Sequence, residues 1–439
     1  MRITIENFGP VKHFEFDTEK DLFLIFGKNS VGKSYAISLV YLLLKEFKEP
    51  RSGESDALLL VIRDVKALGL DKEIPSKKEL ATNINAHLVA FFNESFVGSL
   101  NRSLVNSFNQ INNLQSQLTD DKLKITLGFP RLRVELIMGL KTSAVPMVME
   151  ISSCQFQQHC IDNNINKLVE NGHGYLMVFT NMAASFYNEL PDISEVYYLP
   201  ASRSGLYQGL AAFSPIIAEL SKFRNLISKP INLPAISEPV ADYFLRLSEI
   251  DSQKHSGLDA YTDTIENTIL QGKVEFNDDS KRLAFKPNGL PLQLDLLSVS
   301  SMVSEIAPIV SYLKYIVPNA EASGSQAKPL LFIEEPEAHL HPETQVKLME
   351  VFARLVNDGK IKLVMTSHSN YIFNKASNLV MDGKIPLDKF EALLFRMTEA
   401  GSVAEKMPTD AYGIDDDNFI DTAESLYEEK LAIINKMNG

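Results

Sequence analysis

Cysteine is scarce. Cys154 and Cys160 are the two thiols in 439 residues, and they match no zinc spacing and suggest no disulfide framework. His159 stands beside Cys160, but the local run of Gln and Ser supplies no further metal ligands. Long apolar runs are missing as well. No stretch approaches the roughly 18 residues of a membrane span, and the N-terminus lacks a signal-peptide pattern. The expectation is a cytoplasmic protein with no membrane association. Sustained heptads, internal repeats and strong low-complexity segments are also absent, which excludes a long coiled-coil arm. What remains is ordinary globular composition, 45% hydrophobic and 23% charged, in a chain long enough for two or three lobes.

Positive charge is in deficit. The formal net charge is −13, which argues against a surface that coats DNA by long-range attraction. From Gly401 to Gly439 there are nine acidic and three basic residues, so the tail holds −6 of that total. Nucleic acid as a partner is then confined to a local basic patch, and no dense Lys/Arg run marks one. Asp415-Asp416-Asp417 tempts a metal reading, but no apolar strand precedes it. A solvated acidic loop is the better reading.

The informative segment begins near the N-terminus. Leu22 to Phe26 is a short apolar run suited to a buried parallel strand. Tyr35 to Phe47 is apolar almost all round, as in a helix buried within a sheet protein. Between them stands Gly27-Lys28-Asn29-Ser30-Val31-Gly32-Lys33-Ser34, a P-loop in its required strand–loop–helix setting. Gly27 and Gly32 let the backbone curl so that N–H groups, those of Asn29 and Ser30 among them, face phosphate oxygens. The helix N-terminus adds its positive dipole end. Lys33 is placed to reach the β- and γ-phosphates and the Ser34 hydroxyl to ligate Mg²⁺. ATP and Mg²⁺ are the expected cofactors.

The complementary half lies about 300 residues later. Leu330 to Ile333 predicts another buried strand, ending in Glu334-Glu335-Pro336-Glu337. Acidic residues at the C-terminal edge of such a strand are where α/β folds place metal-binding groups. Glu334 is assigned to the Mg²⁺ shell and Glu335 to polarising the attacking water. A helix follows, with Pro342 in its first turn and Asn357-Asp358-Gly359 as its stop. Ile361 to Met365 predicts the next strand, closing on Thr366-Ser367-His368-Ser369. A lone histidine is usually structural, but His368 sits at a strand end where it can sense a γ-phosphate.

At these residues the chain resembles the ABC-type ATPases that include SMC-like proteins and the overcoming-lysogeny (OLD) ATPases. The matching pieces are Ile3 to Pro10, the P-loop, Glu334 to Pro342 (EEPEAHLHP) and Thr366-Ser367-His368. Tyr198 to Gly205 (YLPASRSG) also looks like a segment of stand-alone bacterial members. The resemblance implies an α/β fold: an ABC-type P-loop ATPase head with a mixed parallel sheet, an antiparallel β layer and helical insertions. It also implies a homodimer or higher homo-oligomer closing around ATP, each site completed by the partner's signature segment. The candidate signature is Leu297 to Glu305, with Ser300 and Ser301 as nucleotide-contacting residues. Family members usually have glycine after the serine pair; here Met302 stands there, and its side chain is expected to hinder close approach. An ordinary helix start capped by serine explains the same residues. Arg203 is open between a phosphate contact and a salt link bridging lobes.

Between these motifs the texture changes. Residues near Glu79 to Leu118 read as helices with an apolar stripe (Leu88, Phe91, Phe92, Phe96, Leu100, Leu104, Phe108), a core stripe in preference to a base-stacking one. Leu123 to Gly128, Val134 to Met138 and Met147 to Ile151 suit antiparallel strands beside the parallel sheet. Beyond Arg203 the chain reads helical to about Leu270, interrupted by a linker from Pro230 to Pro239. Leu393 to Met397 and Ser402 to Met407 read as a hairpin, followed by a terminal helix. The expected parts are 1–48 (head with the P-loop), 49–120 (helical insertion), 121–205 (β layer and return), 206–272 (helical lobe), 273–400 (signature, second acidic strand, His368) and 401–439 (acidic tail).

OLD nucleases carry a nuclease domain after the head, whereas about 70 residues follow His368 here. The resemblance implies a role in bacterial anti-phage defence, and the short remainder of the chain points to a separate effector, so the functional expectation is an ATPase controlling a separately encoded nuclease or toxin. An SMC-like DNA-repair ATPase acting on DNA ends is the alternative and predicts stimulation by DNA ends. A transporter subunit would carry an intact signature close to Glu334, and a non-hydrolysing scaffold would tolerate loss of Glu335.

Overall fold

The computed structural model describes residues 1–48, 54–67, 77–108, 114–130, 132–142, 145–156, 175–188, 193–209, 236–319, 327–415, 427–431 and 433–434. In chain order these form β1 (Arg2–Phe8), β2 (Val11–Asp17), β3 (Leu22–Gly27), α1 (Lys33–Lys48), α2 (Glu54–Ala67), α3 (Lys77–Phe92) and α4 (Gly98–Phe108). Then come β4 (Lys124–Gly128), β5 (Leu132–Thr142), β6 (Val145–Phe156), α5 (Tyr175–Asn188), β7 (Ile193–Leu199), α6 (Glu238–Ser248) and α7 (Asp259–Ile265). The second half contributes β8 (Gly272–Asn277), β9 (Arg282–Pro287), β10 (Leu294–Asp295), α8 (Ser301–Ser311), β11 (Lys328–Glu334), α9 (Pro342–Asn357), β12 (Lys362–Ser367) and α10 (Asn370–Met381). The hairpin β13 (Phe390–Thr398) and β14 (Gly401–Lys406) joins the two halves of the sheet, followed by the short β15 (Thr409–Asp410) and β16 (Gly413–Ile414).

One 11-stranded sheet runs β6-β5-β4-β1-β2-β14-β13-β3-β12-β11-β7. Its parallel half is β13-β3-β12-β11-β7, with every neighbouring pair parallel. Register aligns the C-terminal strand ends: Gly27 lies opposite Phe395, Phe26 opposite Ser367, and Glu334 opposite Thr366. That alignment, set by runs buried on both faces, brings distant motifs to one edge.

The α/β class, the mixed sheet, the antiparallel strands and the helical insertions are all present. The antiparallel strands share one sheet with the parallel half. They continue it through β14, which pairs with β13 on one side and with β2 on the other across an irregular register. The sheet then folds back on itself, so Phe16 meets Phe23 and Phe332 at 4.8 and 6.4 Å, and Phe14 meets Phe395 at 5.6 Å.

Helix α1 sits between the two wings, touching β7, β11 and β3 as well as β1 and β2. This explains a helix that is apolar all round. Residues such as Val40 and Tyr41 forfeit roughly half a kcal/mol each in helix propensity. Burial returns about 1.5–3 kcal/mol per large side chain, so packing decides. At its polar end Lys45 pairs with Glu238 and Asp242 at 2.8 and 2.7 Å, and the Tyr41 hydroxyl donates to Asp242 at 2.7 Å. These contacts tie α1 to α6.

The helical stripe is core: Leu88, Phe91, Phe92, Phe96, Leu100 and Leu104 are buried in the cluster that holds α1, and Phe108 packs against it. The described part of α4 runs to Phe108. Leu114 to Leu118 instead follows β1, with the Gly9 and Ser116 N–H groups donating to Leu114 and Asn7 carbonyls. The linker also ends earlier than expected, because Pro239 already lies in the first turn of α6, where its missing N–H costs nothing. Cys154 is buried, which pushes its thiol up to about 12. Cys160, His159, Asp416 and Asp417 lie outside the described residues. No described helix is long and apolar enough to cross a membrane.

Candidate nucleotide-binding site

The P-loop leaves β3 at Gly27 and enters α1 at Lys33. Gly27 (φ +143°) and Gly32 (φ +93°) occupy conformations that side chains avoid. The structure adds a second reason for both glycines. A Cβ at Gly27 would meet the Phe395 carbonyl at 2.8 Å, and one at Gly32 would meet Pro10 and Val11 at 2.9 Å. The loop is wedged between β13 and the β1–β2 turn. Its tip, Lys28-Asn29-Ser30, stays exposed, and Ser30 is left-handed at φ +61°.

Lys33 folds into the loop. Its ammonium donates to the Gly27 and Lys28 carbonyls at 2.9 Å each and meets His368 Nε2 at 3.0 Å. Burial lowers its pKa to about 8, with Glu335, Glu337 and Glu334 opposing the shift. Phosphates favour the ammonium form, so a bound nucleotide raises that pKa and binding takes up a proton above it. Nucleotide affinity should therefore be flat below about pH 8 and fall as pH rises through it. The decline should be at most about tenfold per pH unit, because a single proton is linked. Titrations of a fluorescent ATP analogue from pH 7 to 9.5 check this. Constant affinity would mean that Lys33 does not titrate there.

Glu334 ends β11 almost fully buried. One carboxylate oxygen accepts from the Ser34 hydroxyl, and the other accepts from Tyr198 at 2.5 Å. Tyr198 also meets the Ser38 hydroxyl at 3.1 Å. Burial raises the Glu334 pKa, while the bonds from Ser34 and Tyr198 oppose it. A carboxylate buried beside a serine hydroxyl fits a hard cation that prefers oxygen. Among the described residues no cluster of three or more His, Cys, Asp or Glu is poised for a metal. A magnesium ion here would thus draw its remaining ligands from phosphates and water, as this ion usually does.

Tyr198, absent from the sequence-based candidates, orients that carboxylate. Replacing it with Phe should raise the Mg²⁺ concentration needed for half-maximal nucleotide binding by about 10-fold or more, the usual cost of losing a partner of a metal ligand. A Mg²⁺ titration of analogue binding in Tyr198→Phe checks this, and an unchanged midpoint would remove Tyr198 from the site.

Glu335 follows with φ +43°, a left-handed conformation for a residue with a side chain. Its N–H donates to the Thr366 carbonyl at 3.0 Å, and its carboxylate meets His368 Nε2 at 3.3 Å. That histidine contact holds the carboxyl below its usual range against a desolvation that pushes it up. Glu335 is thus ionised and, at 38% side-chain exposure, open to a water molecule. His368 is set by Glu337, another residue without an assigned role in the sequence. Glu337 accepts from the His368 N–H at 2.6 Å and from the Ser367 hydroxyl at 2.8 Å. Ser369 caps α10 just beyond.

Ser300 and Ser301 are elsewhere. Ser300 caps α8, accepting from the Val303 N–H, and Ser301 begins the helix. Among the described residues no hydrogen bond joins either serine to the P-loop. Met302 turns back onto its own chain, its sulfur 3.9 Å from the Thr344 hydroxyl and its side chain packed against the apolar cluster that holds α8 and α9. Arg203, fully buried, faces protein and not a phosphate site, and pairs with Glu305 at 3.3 Å.

A family model described as an AAA ATPase domain matches residues 218–373, a span that holds Glu334, Glu335 and His368 but not the P-loop. Among solved structures, the chain is similar to an SMC head domain from Thermotoga maritima (8% identity, 93% of this chain and 98% of that chain, TM-score 0.38). It is also similar to an Smc head bound to the C-terminal winged-helix domain of ScpA (11% identity, 92% and 97% covered, TM-score 0.39). A third is an Smc head domain with an extended coiled coil, bound to the C-terminal domain of ScpA derived from Pyrococcus furiosus (12% identity, 100% and 99% covered, TM-score 0.38). No curated protein sequence matches the chain.

Proposed function

We propose that the chain is an ABC-type ATPase that binds and hydrolyses Mg-ATP at a site shared by two copies, and that its nucleotide state controls a separately encoded nuclease or toxin in anti-phage defence. One observation carries the ATPase part. Lys33, Ser34, Glu334, Glu335 and His368 come from three strand ends and join through direct polar contacts. Lys33, held by two loop carbonyls and His368, is released to the phosphates when they enter. Ser34 and Glu334 would hold the magnesium ion, which neutralises phosphate charge when bound. Glu335 stays ionised and orients water toward the γ-phosphate, and His368 reports that phosphate to Glu335 and Glu337.

The shared site is supported by what the protomer leaves open. The loop tip at Asn29 and Ser30 is exposed, and Ser300 and Ser301 do not reach their own P-loop. A partner's α8 start can supply backbone and hydroxyl donors there. Light-scattering mass of Glu335→Gln with and without ATP tests this. Nucleotide should convert monomer to dimer or shift the assembly upward, and Ser300→Arg should prevent it. A mass independent of ATP would sink the shared site. The effector rests on the family resemblance, and co-purification with the products of neighbouring genes tests it.

A further inference from the structure

Among the described residues Arg203 is the largest fully buried side chain, and the chemistry above does not use it. Its Nη1 donates to the carbonyls of Pro200 and Glu334 at 3.0 and 2.6 Å. Nη2 donates to the Glu335 carbonyl at 3.1 Å, and Nε donates to the Glu305 carbonyl at 3.2 Å. Nη2 also pairs with the Glu305 carboxylate at 3.3 Å. Glu305 is itself buried and accepts from the Ser204 hydroxyl at 2.6 Å and the Ser204 N–H at 3.3 Å. A planar guanidinium thus gathers the end of β7, the end of β11 and the second turn of α8.

Two features make this more than packing. The backbone it grips belongs to Glu334 and Glu335, and Glu335 is held in a sparsely populated left-handed conformation. Its N–H is fixed by Thr366 and its carbonyl by Arg203. On the other side, Glu305 lies one turn into the helix whose first residues are Ser300 and Ser301. We infer that Arg203 is a positioning residue that couples the start of α8 to the backbone of Glu334 and Glu335, so that a displacement of α8 changes the aim of the Glu335 carboxylate. This rests on the ATPase reading for its functional meaning, but the link itself can be read without hydrolysis.

Arg203→Lys keeps the charge beside Glu305 and loses the fork that reaches three segments. It should lower kcat by about 10- to 100-fold, the effect of misplacing a reacting group by a fraction of an ångström to an ångström. KM and analogue affinity should stay within about threefold, since uniform binding is untouched. Glu305→Gln keeps an oxygen for Ser204 and removes the ion pair; its loss should also fall on kcat. The double variant should lose no more than the worse single one, because both changes cut the same link. Amide exchange across residues 335–340 should be faster in both single variants than in the wild type, and exchange in the P-loop should not. Unchanged kcat and exchange in Arg203→Lys, a loss confined to KM, or losses that multiply in the double variant would overturn the inference. If Arg203→Lys fails to fold, Glu305→Gln gives the same kcat-against-KM and exchange readouts. A wild type that hydrolyses no ATP would fell the ATPase reading, and amide exchange would still decide the link.

Discussion

Glu335→Gln should bind ATP as the wild type does and hydrolyse it about 100- to 10,000-fold more slowly, the usual contribution of a positioned general base. The amide is nearly isosteric, so the left-handed backbone and the bond from its N–H to Thr366 survive. What disappears is the negative charge. His368, now 3.3 Å from a carboxylate oxygen, would face a neutral amide, and a water near the γ-phosphate would lose its acceptor. Because binding persists while turnover stops, ATP should accumulate on the protein. Single-turnover release of labelled phosphate, set beside a filter-binding measurement of retained ATP, separates the two steps. Equal loss of binding and hydrolysis would instead mean that Glu335 holds the site together.

Lys33→Met should have the opposite profile. Its ammonium faces Glu334, Glu335 and Glu337 from the phosphate side, whereas Arg203 lies buried behind their backbone, and it is tethered to the Gly27 and Lys28 carbonyls that shape the loop. Methionine keeps the stem but removes the charge, so the phosphates would enter a pocket of carboxylates with no positive partner. Hydrogen bonds to charged groups contribute about 1.5–3 kcal/mol each, so loss of two such contacts to phosphate should weaken ATP binding by at least about 100-fold. Thermal stability should change little. The buried ammonium carries a desolvation penalty, which its removal relieves, and this offsets the two lost carbonyl bonds. Calorimetric titration with ATP and a melting curve on the same sample check both parts. Tight ATP binding by Lys33→Met would contradict the geometry of the loop.

Much of this site was legible in the sequence because its pieces are local. A buried strand reads as a short apolar run, and Leu22 to Phe26, Leu330 to Ile333 and Ile361 to Met365 are all parallel neighbours, their ends displaced by up to two residues. Glycines at 27 and 32 read as places where backbone must approach phosphate, and their positive φ values agree. The crowding by Phe395, Pro10 and Val11 was not legible, since it depends on strands nearly 400 residues apart meeting at the loop.

The roles of Tyr198 and Arg203 were hidden for the same physical reason. Both lie in the YLPASRSG segment, yet the partners that give them a role, Glu334 for Tyr198 and Glu305, Glu334 and Glu335 for Arg203, are more than 100 residues away. Tyr198 reaches Glu334 only because β7 pairs in parallel with β11 and places Tyr198 opposite Phe332. Arg203 was open between a phosphate contact and a bridging salt link, and complete burial against Glu305 decides for the link. Glu337 was visible only as a third acid in a motif, and its bond to the His368 N–H depends on the β11–β12 register. The continuity of the sheet escaped too, because β14 joins its wings through two residue pairs with an irregular step, which no periodicity announces.

Phosphate release by the purified wild-type chain, followed over a range of ATP concentrations with Mg²⁺ and again with excess EDTA, bears on all of these residues at once. An ATP-hydrolysing site built from Lys33, Ser34, Glu334 and Glu335 predicts saturable release that stops when the metal is removed and is nearly abolished in Glu335→Gln. Release that persists in EDTA, or wild-type and Glu335→Gln proteins that release phosphate equally, would contradict it.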